Sequence, residues 1–247
     1  MDKKKILIPI ILPVIIIIVW YILTNFLGII PTTRLPGPIE VYQSACKNIL
    51  NGRLLKDTIN TIFKVFLGLG LAAVIGIPLG ILLGSFKSLE SFCSVVISVL
   101  RPIPPIAWIP FSILWFGIGM VPAVFIIFMG CVFPILVYTL DGVKRTPKVL
   151  IEAAQTLGAS NTDILYKITL PSALPVIVSG VKVGVSIALM CTISAEMIGS
   201  SSGLGYLIIT ATNLFDTGTT VVGMLMIGII GIVLDYIFGK LQEQIFW

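Results

Sequence analysis

The sequence predicts an all-α, polytopic membrane protein of about six transmembrane helices. Charged residues make up only 11% of the 247 and hydrophobic residues 57%, whereas a soluble domain carries about a quarter charged residues. The mean hydropathy is +1.11. Apolar runs of at least ~18 residues recur along the chain, each long enough to cross a bilayer as a helix.

The formal net charge is +5, but the basic residues fall mostly between the apolar runs, where they set orientation, so no nucleic-acid partner is implied. Cys46, Cys93, Cys131 and Cys191 are widely spaced and form no C-x-x-C pair. They are expected to be small apolar fillers with no metal or disulfide role. There is no histidine, which removes the commonest metal ligand and general base.

Taken in order, the N-terminal MDKKKILIPIILPVIIIIVWYILTNFLGII joins a lysine cluster to an apolar stretch longer than the core of a signal peptide, with no small-residue cleavage site after it. It is expected to be a retained first span. Six spans are predicted over residues 6–27, 58–83, 92–116, 121–140, 174–195 and 219–239. The lysine cluster places the N-terminus in the cytoplasm, and six crossings return the C-terminus there. Predicted cytoplasmic segments hold Lys3, Lys4, Lys5, Lys87, Lys144, Arg145, Lys148, Lys167 and Lys240, against Arg34, Lys47, Arg53 and Lys56 outside, a bias that favours this orientation. Trp20, Trp108, Trp115 and Trp247 suit interfacial anchoring. The whole is expected to be one domain, 1–247, with the first span and outer loop over 1–57 and the core over 58–247.

Two spans are irregular. RPIPPIAWIP, residues 101–110, places Pro102, Pro104, Pro105 and Pro110 where an unbroken helix cannot hold them all. EMIGSSSGLGYL, residues 196–207, is a Gly/Ser-rich turn at the end of the fifth span. Broken backbone at membrane depth is tolerated where it faces protein or a water-filled cavity, so two such breaks argue for a translocation path.

The longest polar excursion is the predicted cytoplasmic loop 141–173. Thr146-Pro147 reads as a helix start, with Thr as N-cap and Pro at the first helical position. Glu152, Ala153, Ala154, Gln155 and Leu157 sustain a short helix, which Gly158 ends in the left-handed conformation. Ser160 or Asn161 then caps a second short helix with Ile164, Leu165 and Ile168 along one stripe, and Leu170-Pro171 closes the unit.

The spacing E-A-A, three residues, Gly, nine residues, Ile, one residue, Leu-Pro is met by Glu152-Ala153-Ala154, Gly158, Ile168 and Leu170-Pro171. It resembles the signature loop of the membrane subunits of binding-protein-dependent ABC importers, the type I permeases. Arg101-Pro102-Ile103-Pro104, Ala107, Pro110 and Trp115-Phe116-Gly117-Ile118-Gly119 resemble the third-span signature of the sulfonate, taurine and nitrate branch. Ala195-Glu196 with Gly203-Leu204-Gly205 resembles the end of that branch's fifth span.

The resemblance implies the type I importer permease fold, with Glu152, Ala153, Ala154, Gly158, Ile168, Leu170 and Pro171 forming the coupling surface for an ATP-hydrolysing subunit. It implies two such subunits, an extracytoplasmic solute-binding protein and a second permease copy in a homodimer within the cell membrane. No G-x-x-x-x-G-K-[ST] occurs, so ATP and Mg²⁺ are expected on the partner subunit, and this chain is expected to be no enzyme and to bind no cofactor or metal.

Arg101, Pro102, Pro104, Trp108, Glu196, Gly203 and Gly205 are the candidate path or gate residues. Arg101 serves either the gate and helix break or direct contact with solute, an anion suiting it. Glu196 is expected in a gate or docking role, and no pairing between it and Arg101 is assigned. Lys64, beside Asn60 near the outer start of the second span, is expected to snorkel to the surface. Three other readings compete: an ion-gradient-driven secondary transporter, which calls for repeats or intramembrane acidic pairs; a membrane-embedded enzyme, which calls for a nucleophile or metal cluster; and the same importer class carrying a vitamin precursor, such as a pyrimidine or flavin.

Overall fold

The computed structural model describes residues 3–28, 30–31 and 34–245, with side chains over 11–28, 30–31 and 34–244. Trp247, expected as an interfacial anchor, and the side chains of Lys3, Lys4 and Lys5, expected to set the orientation, lie outside the described residues. Among the described residues every regular element is helical: α1 (Lys3–Tyr21, running into a π-helical turn, Ile22–Phe26), α2 (Pro38–Leu50), α3 (Arg53–Ser85), α4 (Lys87–Leu100), a 3₁₀ turn (Pro105–Trp108), α5 (Ile109–Phe116), α6 (Met120–Lys144), α7 (Lys148–Thr156), α8 (Asn161–Ile164), α9 (Leu170–Gly199), α10 (Leu204–Asn213) and α11 (Thr217–Ile245).

The helices α3, α6, α11 and a continuous helix over Asn161–Gly199 are each long and apolar enough to cross a membrane. The predicted third span is two helices, Lys87–Leu100 and Pro105–Phe116, bent by 84°. With the shorter apolar helix Ile11–Phe26, the six expected apolar segments occur in the expected order.

The core is the triplet α3, α6 and α9. Gly68 lies against Ile127, Gly80 against Thr139 and Gly84 against Val143, so α3 and α6 run parallel. Gly142 lies against Ala173 and Gly130 against Cys191, so α9 runs antiparallel to α6. The α3 face is a stripe of small residues every four positions: Gly68, Ala72, Gly76, Gly80 and Gly84. In lipid, where apolar side chains gain little by leaving the tails, such a stripe lets backbones approach and gain dispersion contact. A Cβ on Gly80 would stand 2.6 Å from Thr139 Cβ and 2.7 Å from the Leu136 carbonyl oxygen. The fully buried Ile126, Ile127 and Ile135 of α6 fill the centre. Cys131 and Cys191 are free thiols buried here, and Cys131 Sγ donates to the Gly184 carbonyl at 3.3 Å.

The bent pair runs from one end of this triplet to the other. Glu90 pairs with Lys144, Pro105 lies against Gly130, Ile113 lies against Gly199, and the Gly119 N–H donates to the Gly199 carbonyl at 2.8 Å. Trp108, Trp115 and Phe116 gather around Phe125 of α6. The last helix, α11, lies antiparallel to α9, joined by Lys182–Asp235 at 3.5 Å and Gln242–Ser179 at 3.0 Å.

Two helices were not foreseen: α10, in and beyond the Gly/Ser-rich stretch expected to be a turn, and α2. α2 forms in the outer loop because Gly37 precedes Pro38 at the first helical position and its N–H donates to the Glu40 carboxylate at 3.2 Å, closing the first turn. It docks through Val41 and through Asn48, whose amide reaches Thr219 at 2.9 Å.

Gly80→Val is expected to cost about 1–3 kcal/mol or more through overpacking, whereas Gly70→Ala, where a Cβ meets nothing within 4 Å, is expected to stabilise by about 0.5–1 kcal/mol. Thermal unfolding of both variants in detergent checks the contrast.

Candidate functional site

The 141–173 loop projects from the Lys144 end of the bundle. Its helix α7 begins one residue later than expected: Pro147 is the N-cap and makes no side-chain cap bond. Thr146 is not the cap, because its N–H donates to the Val143 carbonyl at 3.2 Å and its side chain is buried. Ala154 turns inward, while Glu152, Ala153, Gln155 and Thr156 are exposed. Val149 is 73% and Leu157 88% exposed. The chain then turns at Gly158, whose φ of +80° is the left-handed conformation anticipated there. Ser160 caps α8, accepting from the Asp163 N–H at 3.2 Å.

Leu170-Pro171 does not close the unit. The helix runs unbroken from Asn161 to Gly199, so the expected second short helix is the foot of the fifth span. A π-helical turn over Leu165–Thr169 explains this: the Leu170 N–H bonds to the Leu165 carbonyl, five residues back. The widened turn absorbs the register change around a proline that has no N–H to give.

The second constellation lies at the opposite end of the triplet. Glu196 is fully buried near the end of α9. The Lys64 ammonium lies 2.9 Å from its Oε1, Thr61 Oγ1 lies 2.9 and 3.0 Å from its two oxygens, and the Gly205 N–H donates to Oε2 at 2.9 Å. Lys64 also donates to Ser200 Oγ at 2.9 Å and to the Ser202 carbonyl at 2.6 Å. Asp57 accepts from the Gly203 N–H at 3.0 Å, and Thr61 Oγ1 accepts from the Leu204 N–H at 2.8 Å.

The amides at the start of α10 have no partners within that helix. Three successive ones, on residues 203, 204 and 205, are taken by Asp57, Thr61 and Glu196 in turn. Glu196 is thus held by a cation on one side and by the positive end of a helix on the other. Gly203 and Gly205 are required by this fit: a Cβ on Gly203 (φ +111°) would overlap the Glu196 carboxylate, and one on Gly205 would stand 2.6 Å from the Ile193 carbonyl oxygen.

Lys64 therefore does not snorkel; it is 2% exposed. α3 starts at Arg53 rather than at residue 58, so Lys64 lies eleven residues inside it, about 16 Å along the axis. The sequence signal was present, since Asp57, Thr61 and Lys64 recur at helical spacing on one face. Arg101, Pro102 and Pro104 are exposed at the break after α4, far along the chain from this clamp. A second pair within the spans, Lys182 with Asp235, was also not anticipated.

Lys64→Met strands the Glu196 carboxylate and is expected to destabilise the protein by about 3–5 kcal/mol. Adding Glu196→Gln, whose amide oxygen still accepts from Gly205 and Thr61, is expected to recover most of that loss. Denaturant or thermal unfolding of the single and double variants reads the difference.

Comparison with known proteins joins these features to a family. Residues 76–245 match the family described as "Binding-protein-dependent transport system inner membrane component". A putative ABC transporter permease protein of Methanocaldococcus jannaschii is 42% identical over 250 residues, covering 99% of this chain and 93% of the relative. A putative aliphatic sulfonates transport permease of Bacillus subtilis is 32% identical, covering 95% and 84%. Permeases named for taurine, nitrate and bicarbonate match at 29%, 29% and 31% identity. In fold, the solved MetNI methionine ABC transporter superposes with a TM-score of 0.72 at 21% identity, covering 80% of this chain and 98% of that chain. The chain is an all-α permease of the type I importer fold and belongs to the binding-protein-dependent family of ABC transporter inner-membrane components.

Proposed function

We propose that this chain forms the translocation path of an ATP-driven importer for a small solute bearing an anionic oxygen group, of the sulfonate, taurine or nitrate kind. An external binding protein delivers the solute, and a second copy of the chain completes the path around a two-fold axis. ATP and Mg²⁺ belong to the partner ATPase subunits, which dock on the Lys144 end; that end faces the cytoplasm, as do both termini.

The observation that carries this reading is the exposed face of α7. Glu152 and Ala153 are exposed beside Leu157, an 88% exposed apolar side chain with no cover from its own chain, and the turn at Gly158 is open. Small residues allow close helix approach, the Glu152 carboxylate offers a charge to a basic groove, and the apolar residues give the contact its buried area. Ile168, Leu170 and Pro171, in the foot of the fifth span, complete the coupling surface in this reading. Closing of the ATPase dimer around ATP would then move the two loops together and bias the path between its two openings.

The clamp at Glu196 supports a positioning role for that residue, since a side chain buried within one protomer and satisfied by Lys64, Thr61 and Gly205 has nothing left to offer a solute.

Affinity purification of the full chain from its native membrane is expected to bring down an ATP-hydrolysing subunit. Gly158→Arg places a long cation on the docking face, where a Cβ meets nothing within 4 Å, so the variant is expected to remain folded in the membrane and lose solute-stimulated ATP hydrolysis. Gly158→Asn, which tolerates the left-handed conformation, is expected to retain most of it. Full stimulation in Gly158→Arg would refute the assignment of the loop.

A further inference from the structure

The cations within the spans are not equivalent. Lys64 has Glu196 and Lys182 has Asp235. Arg101 has neither a carboxylate nor a carbonyl partner among the described residues, and it is exposed.

Its depth follows from the helix beside it. α4 starts where Glu90 meets Lys144, the last residue of α6, and the break after Arg101 ends where Pro105 meets Gly130. Gly130 lies ten residues from Met120 and fourteen from Lys144, which puts it roughly 15 and 21 Å from the two ends of α6. Arg101 therefore sits near mid-membrane. Headgroup phosphates are out of reach there, and an arginine cannot shed its proton to escape the hydrocarbon. Ionisable groups at such depth face a water-filled cavity or a counter-charge.

The Arg101 guanidinium takes no part in the hydrogen bonds at the helix break. The N–H groups there are taken by short local turns: the Arg101 N–H bonds to the Ile97 carbonyl, the Ile103 N–H to Leu100 and the Ala107 N–H to Pro104. Nor is Arg101 held in place by its own helix, since α4 has no buried residue. The residue stands on a face that its own chain leaves open.

We propose that Arg101 is the anion-recognition residue of the translocation path, contributed by each of the two copies, and that its planar fork binds the paired oxygens of sulfonate, nitrate or bicarbonate groups. The inference rests on the permease reading above and adds the point of solute contact. Relatives named for aliphatic sulfonates, taurine, nitrate and bicarbonate share no carbon skeleton, but all present such oxygens, and a guanidinium recognises that geometry regardless of what carries it. Pro102 and Pro104 fix the break so that the fork is presented at mid-depth, which makes them positioning residues.

The test uses the complete transporter, permease with ATPase and binding protein, in proteoliposomes, with radiolabelled taurine, ethanesulfonate, nitrate and bicarbonate as probes. Wild type is expected to take up at least one of the four. Arg101→Gln is expected to lower that uptake about 10- to 100-fold, the loss appropriate to a charge-assisted pair. Arg101→Lys, which keeps the charge without the fork, is expected to retain several-fold more uptake than Arg101→Gln, and both variants are expected to co-purify with the ATPase.

Wild-type uptake rates in Arg101→Gln would overturn the proposal. So would equal losses in the two variants, or losses that track failure to assemble, since those mark a structural role. A wild-type complex that assembles with its ATPase but carries none of the four probes overturns the anion assignment and leaves the permease reading standing. A chain that never associates with an ATPase overturns both.

Discussion

The burial of one carboxylate organises the Glu196 end of this molecule. A helix that stops at membrane depth leaves amides and carbonyls that water cannot reach, and each such group costs free energy unless another part of the chain supplies a partner. Here α9 stops at Gly199 and α10 starts at Leu204, and the amides exposed by that restart are met by Asp57 and Thr61 of α3 and by Glu196 of α9. Glu196 alone would be a costly buried charge. With Lys64, Thr61 and the Gly205 amide around it, it ties α3, α9 and α10 into one rigid corner. The small-residue stripe on α3 is the apolar counterpart of this constraint: close approach of the backbones is what brings Lys64 and Thr61 within hydrogen-bond reach of α9.

The second break has the opposite character. At residues 101–104 the backbone N–H groups are taken by short local turns, and among the described residues no long-range hydrogen bond holds the segment and its one charged side chain has no partner. Two interruptions that look alike in the sequence, each rich in helix-breaking residues, therefore differ physically. One is locked by a fully satisfied polar network. The other presents a cation to whatever lies outside its own chain. This asymmetry separates a structural element from the one proposed above to meet a ligand, and it shows only once the chain is folded.

What the sequence disclosed follows from how local each feature is. The apolar segments were legible because length and hydropathy are properties of one segment at a time, and the left-handed turn at Gly158 was legible because the residue type nearly dictates it. The long-range partners were not. Lys64 appeared free to reach the surface because the start of α3 was placed too late, and nothing local tells that Glu196, 132 positions away, would come to meet it. α2 was missed because its helical pattern sits in a loop too short and polar to register beside the spans. Pro171 misled for a related reason: a proline ordinarily marks a boundary, and only the π-helical turn before it lets the helix continue.

That continuity bears on the coupling proposed for the protein. A single helix runs from Asn161, beside the exposed turn at Gly158, to Gly199, beside Glu196, about 57 Å at the usual rise. Its hydrogen-bond ladder makes it stiff along its axis, and its upper end is fastened to α3 and α10 by the carboxylate clamp. In the proposed coupling, a push received at its foot would not be absorbed by slippage at that fastened end, and would tilt the helix above its foot together with α3 and α10. The loosest place along that line is the widened turn at Leu165–Thr169, near the foot, where the regular ladder is interrupted. The bent pair α4–α5 touches this lever near its upper end, through Ile113 and the Gly119–Gly199 hydrogen bond, while its break is held only by local turns. Tilting of the long helix would thus be felt at Arg101 as a change in the angle between α4 and α5, a joint that no side-chain hydrogen bond or ion pair clamps among the described residues.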